Sequence, residues 1–143
     1  MSEAILSKLT KHLQLFYKQN PYVELLKINI DDVQEGRVVL SMDIEKIHTN
    51  FYEMSHGGAL MSLGDTAMGA ACLSCNKKVV TLSFNMNFIK GAPLGTKLKA
   101  TGIVVHNGSR TMVCETEFID GNGQVFCKAT GTFFVLGKLL ETE

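Results

Sequence analysis

The stretch from His56 to Ser74 contains no lysine or arginine and a single acid, Asp65. Leu60, Met61, Leu63, Ala67, Met68, Ala70, Ala71, Cys72 and Leu73 follow one another too closely for a one-sided surface helix. The pattern predicts one long helix, apolar all round, and a helix of that kind is normally buried. The rest of the chain must therefore wrap it. At 3.6 residues per turn, Asp65 shares its face with Gly58, Met61, Ser62, Met68, Gly69 and Cys72, against Ala59, Leu60, Leu63, Ala67, Ala70 and Ala71 opposite. An ionised carboxylate is rarely buried unless it is paired or put to use. Two readings of Asp65 stand side by side: a core carboxylate satisfied by a neighbouring hydroxyl or backbone donor, or a working group in a site.

The start of this helix bears on the choice. Ser55 or His56 can cap it, and Gly57-Gly58 follows with no side chains to shield the first backbone N–H groups. Such donors, at the positive end of the helix dipole, hold an anion or a carbonyl oxygen acquiring charge. An oxyanion binder and an acid or base on one helix suit acyl chemistry. The eight residues between Gly57 and Asp65 correspond, however, to about 12 Å along the axis, whereas a base must come within roughly 3 Å of its reacting partner, directly or through one water. One copy cannot do both jobs. Two antiparallel copies from a symmetric dimer can each lend an Asp to the other's helix start.

A chain of 143 residues is one domain with one core, read here as 1–143 with an N-terminal helix over 1–20. Its 14 basic and 14 acidic residues cancel and form no basic block interleaved with aromatics, which argues against nucleic acid as a partner. No apolar run is long enough to span a bilayer, so no membrane is expected. Without a signal- or transit-peptide pattern at the start, a cytoplasmic location is the expectation. Cys72 and Cys75 form a C-x-x-C at the end of the helix, where the dipole does not activate a thiol. No second Cys/His pair completes a zinc set, so the cysteines read as structural and no metal is expected.

Along the chain, Ile5, Leu6, Leu9, Leu13 and Phe16 predict an amphipathic helix over 2–19, capped by Ser2 and ended by Asn20-Pro21. Residues 22–30 read as a strand, and 37–44 as a second with Val38, Leu40, Met42 and Ile44 on one face. The loop His48-Thr49-Asn50-Phe51-Tyr52 leads into the long helix, where loop residues line whatever binds. Asn50 is either a donor to a ligand or a turn residue, and His48 and His56 are equally open. Beyond Asn76, Val80, Leu82, Phe84, Met86 and Phe88 alternate with Thr81, Ser83, Asn85 and Asn87. That predicts a central strand with one greasy and one polar face. Strands over 96–106, 110–119 and 124–136 follow, joined at Asn107-Gly108 and Asp120-Gly121-Asn122-Gly123. Lys90, Lys97, Lys99 and Arg110 lie near turns and edges, either as a solvated rim or facing a phosphorylated ligand. The order is α+β, one antiparallel sheet around one buried helix.

These residues carry a likeness. Asn50, His56-Gly57-Gly58 and Asp65, with Ser83-Phe84-Asn85-Met86-Asn87-Phe88 and the His106-Asn107-Gly108-Ser109-Arg110 turn, resemble the hotdog-fold acyl-CoA thioesterases, most nearly the phenylacetate-degradation type, from about Gly36 to Leu136. The resemblance implies a hotdog fold and hydrolysis of an acyl-CoA to a free acid and coenzyme A. It further implies that the Gly57 N–H polarises the thioester carbonyl and that Asp65 of the opposite subunit is general base or nucleophile. Asn50 and His56 would orient the thioester or the water, and Ser83 would help to position that water. Lys90, Gly108 and Arg110 are candidates for holding coenzyme A, on charge and position. No separate cofactor is implied, coenzyme A being part of the substrate. The family's assembly would be a homodimer whose two sheets join, often paired again into a homotetramer. Phe51, Tyr52, Met61, Met68 and Phe88 would suit an aromatic or a medium-chain acyl group. Two other readings stay in play: a hotdog acyl-thioester hydratase or dehydratase, whose catalytic His motif is not found here, and a non-catalytic acyl-CoA binder.

Overall fold

The structure, a computed structural model, describes residues 1–141. Helix α1 (Glu3–Gln19) is capped by Ser2, whose hydroxyl accepts the N–H of Ile5 at 3.2 Å, and buries Leu9 and Leu13. The segment read from sequence as the beginning of a strand is instead a second short helix, α2 (Pro21–Leu26). Asn20-Pro21 is both a stop and a start. Asn20 Oδ1 accepts the N–H groups of Tyr22 (3.0 Å) and Val23 (3.1 Å), Pro21 supplies a first helical residue that needs no N–H partner, and Val23 and Leu26 bury one helical turn apart. Lys27, in the left-handed region at φ 57°, turns the chain out.

Strand β1 (Asn29–Gln34) then pairs with β2 (Arg37–Asp43). Helix α3 (Gly57–Leu73), the long apolar helix, precedes β3 (Lys77–Phe88), β4 (Lys97–Asn107), β5 (Thr111–Ile119) and β6 (Val125–Lys138). All pairings are antiparallel in one six-stranded sheet of order β1-β2-β4-β5-β6-β3. Strand β3 is therefore not central. Among the described residues it pairs only with β6, and its other edge is open.

The sheet wraps α3. Leu60, Leu63, Ala67, Ala70 and Ala71 bury against Val38, Leu40, Leu98, Ala100 and Phe118. Gly102 on β4 lies so close to α3 that a methyl group there would overlap the carbonyl of Ala67. The close approach brings the helix axis down onto the sheet and fixes which face of α3 turns away. The helix is not buried all round. Gly58, Met61, Ser62, Asp65 and Gly69 remain exposed or half-exposed in a stripe between β3 on one side and α1 and α2 on the other. Met68 and Cys72, assigned from the wheel to the Asp65 face, are fully buried with Met112, Cys114 and Phe133. No helix among the described residues is long and apolar enough to cross a membrane.

Candidate active site

Asp65 sits midway along the open stripe, and Thr81 on β3 reaches it: Thr81 Oγ1 donates to Asp65 Oδ1 at 2.7 Å. Strict alternation puts Thr81 with Ser83 on the polar face. A β-bulge changes the parity. Thr81 pairs with Phe133 and Ser83 with Thr132, leaving Leu82 as the extra residue between them. Directly paired residues share a face. Thr81 therefore points to α3 with the buried Phe133, while Ser83, Asn85 and Asn87 point to the outer face with Thr132, Thr130 and Lys128. An open groove of about 600 Å³ runs over that outer face, lined by Asn85, Asn87, Thr101, Glu115, Glu117 and Lys128 among others. Ser83 is thus on the side of the sheet away from Asp65, and the hydroxyl beside the carboxylate is that of Thr81.

At the helix start, His56 is the N-cap. Its Nδ1 accepts the Gly58 N–H at 2.8 Å, which puts the proton of the neutral ring on Nε2. The His56 carbonyl takes the N–H groups of Ala59 (3.0 Å) and Leu60 (3.2 Å). The Gly-Gly start is therefore less bare than its sequence suggests. Of these first four donors only the Gly57 N–H has no partner among the described residues. Beside it, the Phe88 ring lies where a Cβ on Gly57 would be 3.4 Å away.

Asn50 is a turn residue. Its Oδ1 accepts the N–H groups of Tyr52 (2.8 Å) and Met54 (3.1 Å), and its own N–H donates to the Met54 carbonyl at 2.8 Å. Its Nδ2 makes no bond among the described residues and remains a donor for a ligand. The turn lifts Phe51 and Tyr52 into solvent, where Phe51 is fully exposed. His48 is no part of an open site. It is fully buried, accepts the Glu45 N–H on Nδ1 at 2.9 Å and donates from Nε2 to the Leu26 carbonyl at 2.7 Å, clasping the end of α2 to the loop. The His48 carbonyl in turn accepts the His56 N–H at 2.7 Å, so this clasp sets the entry of α3.

Tyr17 of α1 donates to the Thr66 carbonyl at 3.3 Å. Burial first, and then the neighbouring Asp65 and Cys72, push its phenol's pKa well up, so it stays a donor at any working pH. Lys90 stands over the Phe126 ring at 5.7 Å. It lies just beyond the end of β3, whereas Lys77, at the other end of the same strand, donates to the Gly108 carbonyl at 2.6 Å. Gly108 and Arg110 therefore lie at the opposite end of β3 from Lys90. One chain does not bring these candidates for coenzyme A together. Met68 is fully buried and cannot touch an acyl group on the stripe, while Met61 and Phe88 are exposed beside it.

One antiparallel sheet curled around a long helix is the hotdog arrangement. The model of the thioesterase superfamily matches residues 52–127. The chain is 30% identical over 136 residues to acyl-coenzyme A thioesterase PaaI of Escherichia coli K12, spanning 95% of this chain and 97% of that one. The solved structure of the E. coli PaaI protein from the phenylacetic acid degradation operon superposes with a TM-score of 0.87 at 27% identity, over 92% of this chain and 96% of the other. A hypothetical thioesterase from Streptococcus pneumoniae TIGR4, solved with coenzyme A, gives a TM-score of 0.76 at 32% identity, over 78% and 87%. Two mutant structures of that protein carry alanine for an aspartate and for a threonine sixteen positions further on. The chain belongs to the thioesterase superfamily, as a hotdog thioester hydrolase of the phenylacetate-degradation type.

Proposed function

We propose that this chain hydrolyses acyl-CoA thioesters to a free acid and coenzyme A in sites shared between two copies of itself. The observation that carries the reading is the Gly57 N–H at the head of α3, without a partner among the described residues, with the Asp65 carboxylate on the open stripe of the same helix. The activity of E. coli PaaI and the coenzyme A bound to the pneumococcal relative support the substrate class. The sixteen-residue interval in the pneumococcal variants equals that between Asp65 and Thr81 here, which supports treating the two as one unit.

In this reading the thioester oxygen accepts the Gly57 N–H, and charge developing on it is met by that donor and the helix dipole. Because about 12 Å separates Gly57 from Asp65 along the helix, the carboxylate comes from the partner's antiparallel α3. The edge of β3, with Val80, Leu82 and Phe88 exposed, and the uncovered stripe on α3 support pairing through these surfaces. Thr81 donates to one carboxylate oxygen and leaves the other toward the reaction. Asp65 then takes a proton from water as it attacks, or attacks the carbonyl itself and is released by water afterwards. Either way the carbon–sulfur bond breaks, a carbon–oxygen bond forms, and the departing thiolate takes up a proton as coenzyme A. The Asn50 amide, in the loop leading into the helix, and the His56 Nε2–H, at its cap, are further donors for the thioester or the water. Pairing of such dimers into a tetramer and a cytoplasmic location belong to the same proposal.

The test is thiol release from phenylacetyl-, hydroxybenzoyl-, short-chain and long-chain acyl-CoAs by wild type and Asp65→Asn side by side. The expected loss in the variant is ~10²–10⁴-fold, with fold and dimer retained. A fully active Asp65→Asn protein would overturn the mechanism, and a folded wild type without turnover on any thioester would overturn the activity.

A further inference from the structure

We propose that Tyr22, carried on α2, is a specificity-determining residue that closes the acyl end of the site and restricts it to short or compact acyl groups; this rests on the thioesterase reading above. The Tyr22 hydroxyl lies 2.6 Å from Ser62 Oγ, and Ser62 Oγ donates to the Gly58 carbonyl at 2.9 Å. With the serine proton committed to Gly58, the phenol is the donor to Ser62. Ser62 is on the Asp65 side of α3, one turn beyond Gly58. The phenol therefore stands on the open stripe beside a residue five positions, about 7.5 Å along the axis, beyond Gly57.

Tyr22 is 55% exposed and is not part of the buried core, so core packing does not account for its hold on α3. It is held rigidly. Asn20 caps α2, Val23 and Leu26 anchor it in the core, and the His48 clasp pins its last carbonyl. The short α2 thus delivers one aromatic side chain to a fixed point on the stripe.

The surroundings of Gly57 direct an acyl group to that point. On the β3 side the Phe88 ring blocks the way. Beside Gly58 the His56 ring is so close that a Cβ there would be 3.1 Å from Nδ1. What stays open in the single chain is the stripe formed by Gly58, Met61 and Ser62, with the glycine leaving room for an acyl chain between it and the partner's α3. An acyl group laid along it meets the Tyr22–Ser62 pair, which stops a straight chain from extending further.

The experiment compares wild type, Tyr22→Ala, Tyr22→Phe and Tyr22→Trp over straight-chain acyl-CoAs from acetyl to palmitoyl, reading kcat/KM by thiol release. Wild type should favour the short end. Tyr22→Ala should move the optimum to longer chains and raise long-chain over acetyl selectivity by about tenfold or more, since each further methylene taken out of water is worth about fourfold. Tyr22→Phe keeps the ring and should keep the profile, while Tyr22→Trp should sharpen the preference for short chains. The tryptophan variant carries the test should the alanine variant not fold. A parallel series of S-alkyl-CoA thioethers, which cannot be hydrolysed, is titrated by calorimetry. A chain-length shift there, with no thiol release by wild type, would support the role of Tyr22 while overturning the thioesterase reading. Long chains accepted by wild type as readily as short ones, or an unchanged profile in folded Tyr22→Ala and Tyr22→Trp, would overturn the proposal.

Discussion

Replacing Thr81 by Val removes one atom's chemistry and leaves the shape. Thr81 Oγ1 donates to Asp65 Oδ1 at 2.7 Å, a length typical of a hydroxyl bonded to a charged acceptor. Hydrogen bonds to charged groups contribute about 1.5–3 kcal/mol. The contact lies on the open stripe of the single chain, so the lower half of that range is the appropriate one. If the bond holds the carboxylate in its working orientation, losing it removes transition-state stabilisation of that order, about 10–40-fold in kcat/KM at about 1.4 kcal/mol per tenfold. Ser83→Ala, two residues away on the outer face, should stay within about twofold of wild type, because the bulge at Leu82 turns it away from the helix. The assay is thiol release with the best acyl-CoA of the panel, alongside circular dichroism to confirm both folds. A Thr81→Val enzyme as fast as wild type would refute the orienting role. A Ser83→Ala enzyme slower than Thr81→Val would refute the register assignment as well.

Two further predictions concern stability and thiol chemistry. Thr116 is 4% exposed, and its Oγ1 has no hydrogen-bond partner among the described residues, so Thr116→Val should stabilise by about 1 kcal/mol and raise Tm by about 2–4 °C in thermal melts; an unchanged or lower Tm would mean the hydroxyl is satisfied after all. All four cysteines are free, but Cys72, Cys114 and Cys127 are fully buried, and burial pushes the Cys127 thiol up to about 11, so a disulfide reagent at pH 8 should modify only the half-buried Cys75 at a measurable rate in native protein and all four after denaturation.

Much of the fold is legible in the residues alone. The long helix is legible because an unbroken apolar run around one carboxylate is too long for a strand and too uncharged for a surface helix. The three strands from Lys97 onward are legible because Asn-Gly and Asp-Gly turns punctuate them. What escapes a sequence reading depends on single residues or on distant partners. One extra residue at Leu82 exchanges the faces of Thr81 and Val80 relative to Ser83, and alternation alone cannot register such an insertion. Six residues of α2 are too few to display helical periodicity, although Asn20 followed by Pro21 is a signal for a helix start. His48 becomes a buried clasp only because the Leu26 carbonyl, 22 residues earlier, meets it. Thr66, Ser62 and their tyrosine partners belong to the same class, since contacts across 40 and 49 positions leave no local trace. Asn50 shows the turn role its residue type suggests, its oxygen taking two backbone N–H groups, while its amide makes no bond among the described residues.

The division of the site between two chains has the sharpest test, because it can be separated from every other part of the reading. Gly57→Pro deletes the free N–H with little else. Proline suits the first residue of a helix, where no intrahelical partner is lost. His56, at φ −74° and ψ 130°, already has the extended backbone that a following proline demands. Asp65→Asn deletes the carboxylate with almost no change in shape. Each homodimer should be inactive. In a mixed dimer, however, one site would unite the intact Gly57 of the Asp65→Asn chain with the intact Asp65 of the Gly57→Pro chain, while the other site lacks both. Random exchange at equal concentrations makes half the dimers mixed, each with one working site of two, so about a quarter of wild-type activity should return. Exchange is verified independently by mass spectrometry of differently tagged chains. Verified mixing with no recovered turnover would mean that Gly57 and Asp65 act within one chain. Such a site would need α3 to bend or its substrate to span some 12 Å between donor and carboxylate, and the antiparallel pairing of helices proposed here would have to be abandoned.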